Sequence, residues 1–286
     1  MQNMPSSQRT RFGFTVLEVI VVIGIIGVLS ALITPAVQNA RQAARQMTCL
    51  NHLRQILVAS SNFEIQDGQF PAKSWRLQIH PMLEITDPNS RIETLTCPAD
   101  SHASGRGGYY SFAINGGLGN SRELHTGFVG VGGSRVGVPA AHVTDGLSNS
   151  VIFAEKLSNP SIAAQQTVVW EELPHLINRA FRVVEVDNSD PEDVRKACLS
   201  APPLYERLWW FDSQYTHLMN INEPSVVNVS SGKSFIRRGQ SAASLHVGGA
   251  HIGLADGSGR FVSDQIDLKT WRGLGTIAGG EVISEY

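Results

Sequence analysis

Residues 14–37 form an apolar run, FTVLEVIVVIGIIGVLSALITPAV, in which Glu18 is the one charged side chain. Its 24 residues span roughly 36 Å as a helix, enough to cross a bilayer. Two other readings stay open: a cleaved secretory signal with Thr34-Pro35-Ala36 as its small-residue site, and a buried core helix. A typical signal is shorter, and a globular helix of this length usually keeps a polar face. Beyond Pro35 the pattern changes. Val37, Ala40, Ala44, Met47, Leu50, Leu53 and Leu57 recur at intervals of three and four, with Arg41, Arg45 and Arg54 off that stripe. This predicts an amphipathic continuation over 38–66 that packs on a folded body, with Met47 as core filler. Pro35 lacks an amide hydrogen and is expected to kink the helix or melt it locally. Asp67-Gly68 should end it, and Phe70-Pro71 should begin something new. A helix over about 14–65 would be roughly 78 Å long.

From 67 to 286 the pattern shortens into β-leaning runs bounded by Gly, Asn, Pro or Asp: YYSFAI (109–114), VVWEEL (168–173), AFRVVEV (180–186) and PSVVNV (224–229). A helix is predicted over 191–199, with Asp190 as its cap, Pro191 in its first turn and Glu192 and Asp193 at its positive end. Near the C-terminus, Gly248-Gly249 reads as a two-residue hairpin turn that pairs Val247 with Ala250, His246 with His251 and Leu245 with Ile252. A second turn, Asp256–Gly259, would set Leu254 opposite Phe261. Alternation then puts Leu245, Val247, Ile252, Leu254 and Phe261 on a core face, with His246 and His251 on the other. Asp256 should accept a backbone N–H two residues on. The expected fold class is α+β: a long N-terminal helix, transmembrane and then amphipathic, packed on a β-rich head.

Composition narrows the function classes. The 286-residue chain is 42% hydrophobic and 17% charged with net charge −2, which describes a folded protein without a basic domain for nucleic acid. Its 27 glycines suit a turn-rich, β-rich body. Arg9 and Arg11 precede the apolar run and Arg41, Arg45 and Arg54 follow it, so charge bias leaves its orientation open. The chain has no G-x-S-x-G, H-E-x-x-H or C-x-x-C motif, and GVGGSRVG (130–137) lacks the Lys-Ser/Thr of a phosphate loop; no enzyme is expected. LWWF (208–211) could stack on sugar faces or belong to the core. The first option makes the alternative reading a membrane-anchored extracytoplasmic binding module, for example for glycans. His246 and His251 share a face but lack a third ligand for a transition metal. Glu18 needs its own reason, because a carboxylate inside a membrane costs about 2.5–3.5 kcal/mol on insertion scales. Snorkelling to the interface would explain its tolerance.

Gly13-Phe14-Thr15-Val16-Leu17-Glu18, preceded by a short basic leader and followed by the apolar run, resembles the processing site of type IV prepilins and type II secretion pseudopilins. The usual order before the acid is reversed here to Val16-Leu17. Further along, CLNHLRQ (49–55), GQFPA (68–72), SWRLQIHPMLE (74–84), CPAD (97–100), YYSFAINGG (109–117), VTDGLSNSVIFAEK (143–156) and SLHVGGAHIGLADGSGRFVSDQID (244–267) resemble a large planctomycete-type family of pilin-like proteins. That family carries the domain of unknown function DUF1559 and a terminal H-X9-DG signature, here His246, Asp256 and Gly257.

The resemblance implies a leader over 1–13, a transmembrane helix over 14–37, its amphipathic continuation over 38–66, and a head over 67–286 in a lollipop shape. Residues 157–240 then read as an insertion and 243–286 as the terminal region. It implies cleavage after Gly13 by a prepilin peptidase and methylation of the new N-terminal Phe14. Glu18 would pair with the Phe14 amine of a neighbouring subunit, setting the register of a pilus-like or pseudopilus-like filament. The implied partners are that peptidase, other pilin or pseudopilin subunits and an inner-membrane assembly platform, with the head outside the cytoplasm. Major pseudopilins hold calcium in a C-terminal loop, so Asp256, Ser258 and Asp264, with Asp267, are the residues for such a site; otherwise no cofactor is expected. Cys49 and Cys97 lie in matching motifs, which makes them the pair for a disulfide. The chain-entropy model gives such a bridge roughly 4 kcal/mol, and two small buried side chains are the alternative.

Overall fold

The structure is a computed structural model that describes residues 16–72, 74–83, 92–100, 103, 110–118, 126–129, 137–157, 181–186, 190–204, 214–228 and 238–281. Gly13, Phe14, VVWEEL (168–173) and LWWF (208–211) lie outside them. The chain divides into two compact units, Met1–Ala44 and Arg45–Tyr286.

One helix, α1, runs from Val16 to Asp67 and contains Pro35. Of the two outcomes expected at Pro35, a kink or local melting, melting does not occur: α1 runs through Pro35 as helix. In the first unit its apolar side chains are exposed, from Val16 and Leu17 to Ile33, and this stretch is long and apolar enough to cross a membrane. Gly68 ends α1 as predicted: at φ +74° it takes the left-handed conformation that costs glycine nothing, and its N–H donates to the Glu64 carbonyl at 2.8 Å.

In the second unit the buried face of α1 is Cys49, Leu53, Ile56, Leu57, Ala59, Ser60 and Phe63, which keeps Leu53 and Leu57 of the expected stripe and departs from it at Met47. Met47 is 56% exposed rather than core filler. Hydrophobicity alone had weighted Met47 and Val37, whereas the sheet contacts the face carrying the small Cys49.

That sheet has five strands in the order β5-β1-β2-β8-β9: β1 Phe112–Asn115, β2 Val151–Glu155, β5 Gln214–Tyr215, β8 Gly249–Leu254 and β9 Gly259–Ser263. Strands β5 and β1 are parallel, and the other pairings are antiparallel. One face packs on α1, with Phe112, Ile114 and Phe153 among the contacts. The other packs on Trp271 and Leu274 of a C-terminal helix, α4, Leu268–Leu274. A short helix, α2 (Trp75–Ile79), adds Trp75, whose ring meets that of Phe153 edge-on at 4.9 Å.

The stretch 157–240 supplies a second sheet in the order β4-β3-β6-β7, from β3 (Phe181–Val184), β4 (Pro203–Leu204), β6 (Ser225–Asn228) and β7 (Arg238–Gly239). The predicted helix α3 runs over Pro191–Ser200, and Asp190 caps it by accepting the Glu192 N–H.

The C-terminal strand prediction needs correction. Strand β8 begins at Gly249 and pairs with β2 and β9; residues 243–248 form no strand, so His246 is not mid-strand. The β8–β9 register sets His251 opposite Phe261, not Leu254. Val247 is 74% exposed and Phe261 40%, so neither belongs to the core face. The edge of β8 that a local hairpin would have used is taken by β2, about a hundred residues earlier in the chain, whose wholly apolar VIFA offers more burial.

Candidate functional site

Four elements deliver polar side chains to one buried point. Cys49 comes from α1, Cys97 from the turn over 97–100, Glu155 from the end of β2, and His246 from the segment before β8. Their donor atoms all lie within 4.8 Å of one another. Each residue is at most 4% exposed. The turn with Cys97 is closed by the Asp100 N–H donating to the Cys97 carbonyl, and it is tied to α1 by His52 Nδ1, which donates to the Thr96 carbonyl at 2.8 Å.

The contacts form a closed set. Cys97 Sγ lies 3.3 Å from His246 Nε2, and His246 Nε2 lies 3.4 Å from Glu155 Oε1. The Cys49 thiol donates to Glu155 Oε1. Behind Glu155, the His251 backbone N–H donates to Oε2 at 2.8 Å, and His251 Nδ1 sits 3.2 Å from Oε1. The His246 backbone N–H donates to Ser244 Oγ. Phe261 packs edge-on against the His251 ring at 5.2 Å.

The electrostatics follow from burial and these contacts. Burial would raise the Glu155 carboxyl, but hydrogen bonds from His246 and His251 outweigh it and hold the group well below the usual carboxylate range. Burial opposes the His246 cation, yet Cys97 and Glu155 raise it to about 9. Burial drives the Cys49 thiol up. The hydrogen bond from Cys49 pulls Cys97 down, with His246 helping. Two sulfurs, an imidazole and a carboxylate are a donor set for a thiophilic divalent metal ion.

A model of a family described as "protein of unknown function (DUF1559)" matches residues 38–84 and 73–269 of the chain. The chain belongs to this family. No curated protein and no solved structure matches it. In this DUF1559 protein all four donors fall within the matched residues, as does the stretch 157–240.

The expected site residues fare differently. Cys49 and Cys97 are brought together, both buried and both free thiols, which is the second of the two alternatives; Cys49 donates to Glu155 and Cys97 lies against His246. Cys198 is also free and buried, its thiol pushed up to about 12 by burial. Asp256 opens its turn as predicted, accepting the Ser258 N–H at 2.8 Å, with Gly257 at φ +89°. The calcium set does not assemble among the described residues. Asp256 and Asp264 flank opposite ends of β9, about 17 Å of strand apart. Asp264 accepts from Asn222, and Asp267 caps α4 through the Thr270 N–H. The nine residues between His246 and Asp256 carry the chain from the buried cluster, along β8, to the β8–β9 turn.

Sequence reasoning missed Glu155. Its signal was a carboxylate closing an otherwise apolar strand, VIFAE, which is buried throughout. Glu18 lies in the first turn of α1.

Proposed function

We propose that this DUF1559 protein is a structural, non-catalytic, prepilin-like subunit, anchored in the inner membrane with its head outside the cytoplasm. It is cleaved after Gly13 by a prepilin peptidase and assembles with other pilin or pseudopilin subunits, through an inner-membrane platform, into a pilus-like or pseudopilus-like filament. The observation that carries this reading is the division of labour along α1: an exposed apolar stretch with Glu18 in its first turn, then, from Cys49 to Phe63, a buried face that belongs to the head. The family match covers the continuation of the helix and the head, residues 38–84 and 73–269, and is compatible with such a subunit.

In this reading Glu18 meets the Phe14 amine of a neighbouring subunit in a low-dielectric setting, where neutralising both charges favours one axial register. The test is Glu18→Gln in the native host. Membrane insertion stays normal and incorporation into filaments falls; assembly at the wild-type level overturns the pairing. The N-terminus of the mature chain, read by mass spectrometry, should be Phe14. A start at Leu32 or Val37 would mean a secretory signal instead.

A further inference from the structure

We propose that Cys49, Cys97, Glu155 and His246 form a structural zinc site that staples α1 to the head. The geometry is the main argument. Tetrahedral zinc with bonds of about 2.3 Å to sulfur and 2.0–2.2 Å to nitrogen or oxygen sets its donors roughly 3.3–3.8 Å apart. The Cys97–His246 and His246–Glu155 separations are 3.3 and 3.4 Å, two edges of such a tetrahedron. The Cys49–Glu155 contact is the edge that a bound ion must open.

The surroundings are those of a closed metal site. Each donor comes from a different part of the chain, with sequence separations of 106 for Cys49 to Glu155 and 149 for Cys97 to His246, so an ion bound there crosslinks the fold. Glu155 is oriented by His251, whose backbone N–H holds Oε2 and whose Nδ1 lies against Oε1, as ligating carboxylates generally are. All four donors are buried, leaving no open position for water or substrate, which marks a structural rather than a catalytic site. The donor set also selects the ion: two sulfurs exclude calcium and magnesium, which take oxygen.

The site stands independently of filament assembly. The test uses the full-length protein, purified in detergent with a tag that binds no metal and without chelator. Elemental analysis after dialysis should find about one zinc per chain. Cys49→Ser and Cys97→Ser should each lower this at least tenfold, while Cys198→Ser leaves it unchanged. Because the serine variants can fail to fold, wild-type protein stripped of metal and titrated with Co2+ gives the second readout: thiolate-to-cobalt charge transfer in the near ultraviolet and the intense visible bands of tetrahedral cobalt. Wild-type protein that neither retains zinc nor shows these bands overturns the proposal. So does protein isolated metal-free with a Cys49–Cys97 disulfide, about 2 Da lighter than the dithiol.

Discussion

Gly253 of β8 lies directly beneath Leu57 of α1: a β-carbon built on Gly253 would stand 2.7 Å from Leu57 Cδ2 and 2.8 Å from Cδ1. The helix can lie this close to the sheet only because residue 253 has no side chain. Gly253→Ala is therefore expected to destabilise the head by about 1–3 kcal/mol, the usual range for overpacking. Chemical denaturation measures it. Adding Leu57→Ala should recover part of the loss, giving a favourable coupling energy in a double-mutant cycle. Strict additivity would place the strain elsewhere.

His217 predicts a pH dependence. Its Nδ1 donates to the Trp271 carbonyl at 2.7 Å, and its Nε2 accepts from the Tyr215 hydroxyl at 2.8 Å, so the ring is held neutral. Burial lowers it to about 3 from an ordinary value of 6.5, against a small opposing effect of the Trp271 carbonyl. The unfolded chain therefore takes up a proton below pH 6.5 that the folded chain refuses until about pH 3. The contribution of His217 to stability is full above pH 6.5 and falls as pH drops through that window, by at most roughly 1.4 kcal/mol per pH unit. Urea midpoints at pH 7.5, 5.5 and 4.5 should show the decline, and His217→Gln should flatten it. An equal slope in the variant would remove His217 as the cause.

Asp145 anchors the end of the head. It accepts the Gly279 and Gly280 N–H groups, each at 2.8 Å, and the Thr276 hydroxyl at 3.0 Å. Asp145→Ala is expected to cost about 1–3 kcal/mol and to speed amide exchange at Gly279 and Gly280 ahead of the sheet. Uniform acceleration across the head would mean global unfolding rather than a released end. Asp145→Asn keeps an accepting oxygen and should lose less.

Gly13→Val tests processing. On the proposed reading a small residue must fit the cleavage site, so the variant should persist as a precursor longer by the 13 leader residues, resolved by intact mass. Normal cleavage of this variant would argue against a prepilin peptidase.

Much of the architecture was legible in the sequence because its signals are local. The apolar run, the Gly68 stop, the Asp190 cap and the Asp256 turn each depend on a few neighbouring residues and on backbone geometry that tertiary packing did not override. The α+β class followed from the same patterns. What local patterns could not supply was which strand lies beside which. Strand β8 could have paired with the segment just before it, and instead pairs with β2, because the apolar residues of β2 bury more surface there.

The buried cluster shows this most clearly. Each of its residues had an ordinary local reading: Cys49 on a helix, Cys97 in a turn, Glu155 at a strand end and His246 before a strand. Residue spacing along a chain reports neighbours within one element, so it linked His246 to His251, while only the family resemblance paired the two cysteines. It carries no distance between elements separated by a hundred residues. Only the packing of α1 on β2 and β8 brought two sulfurs, an imidazole and a carboxylate to one point, and with them the chemistry of a metal ligand set.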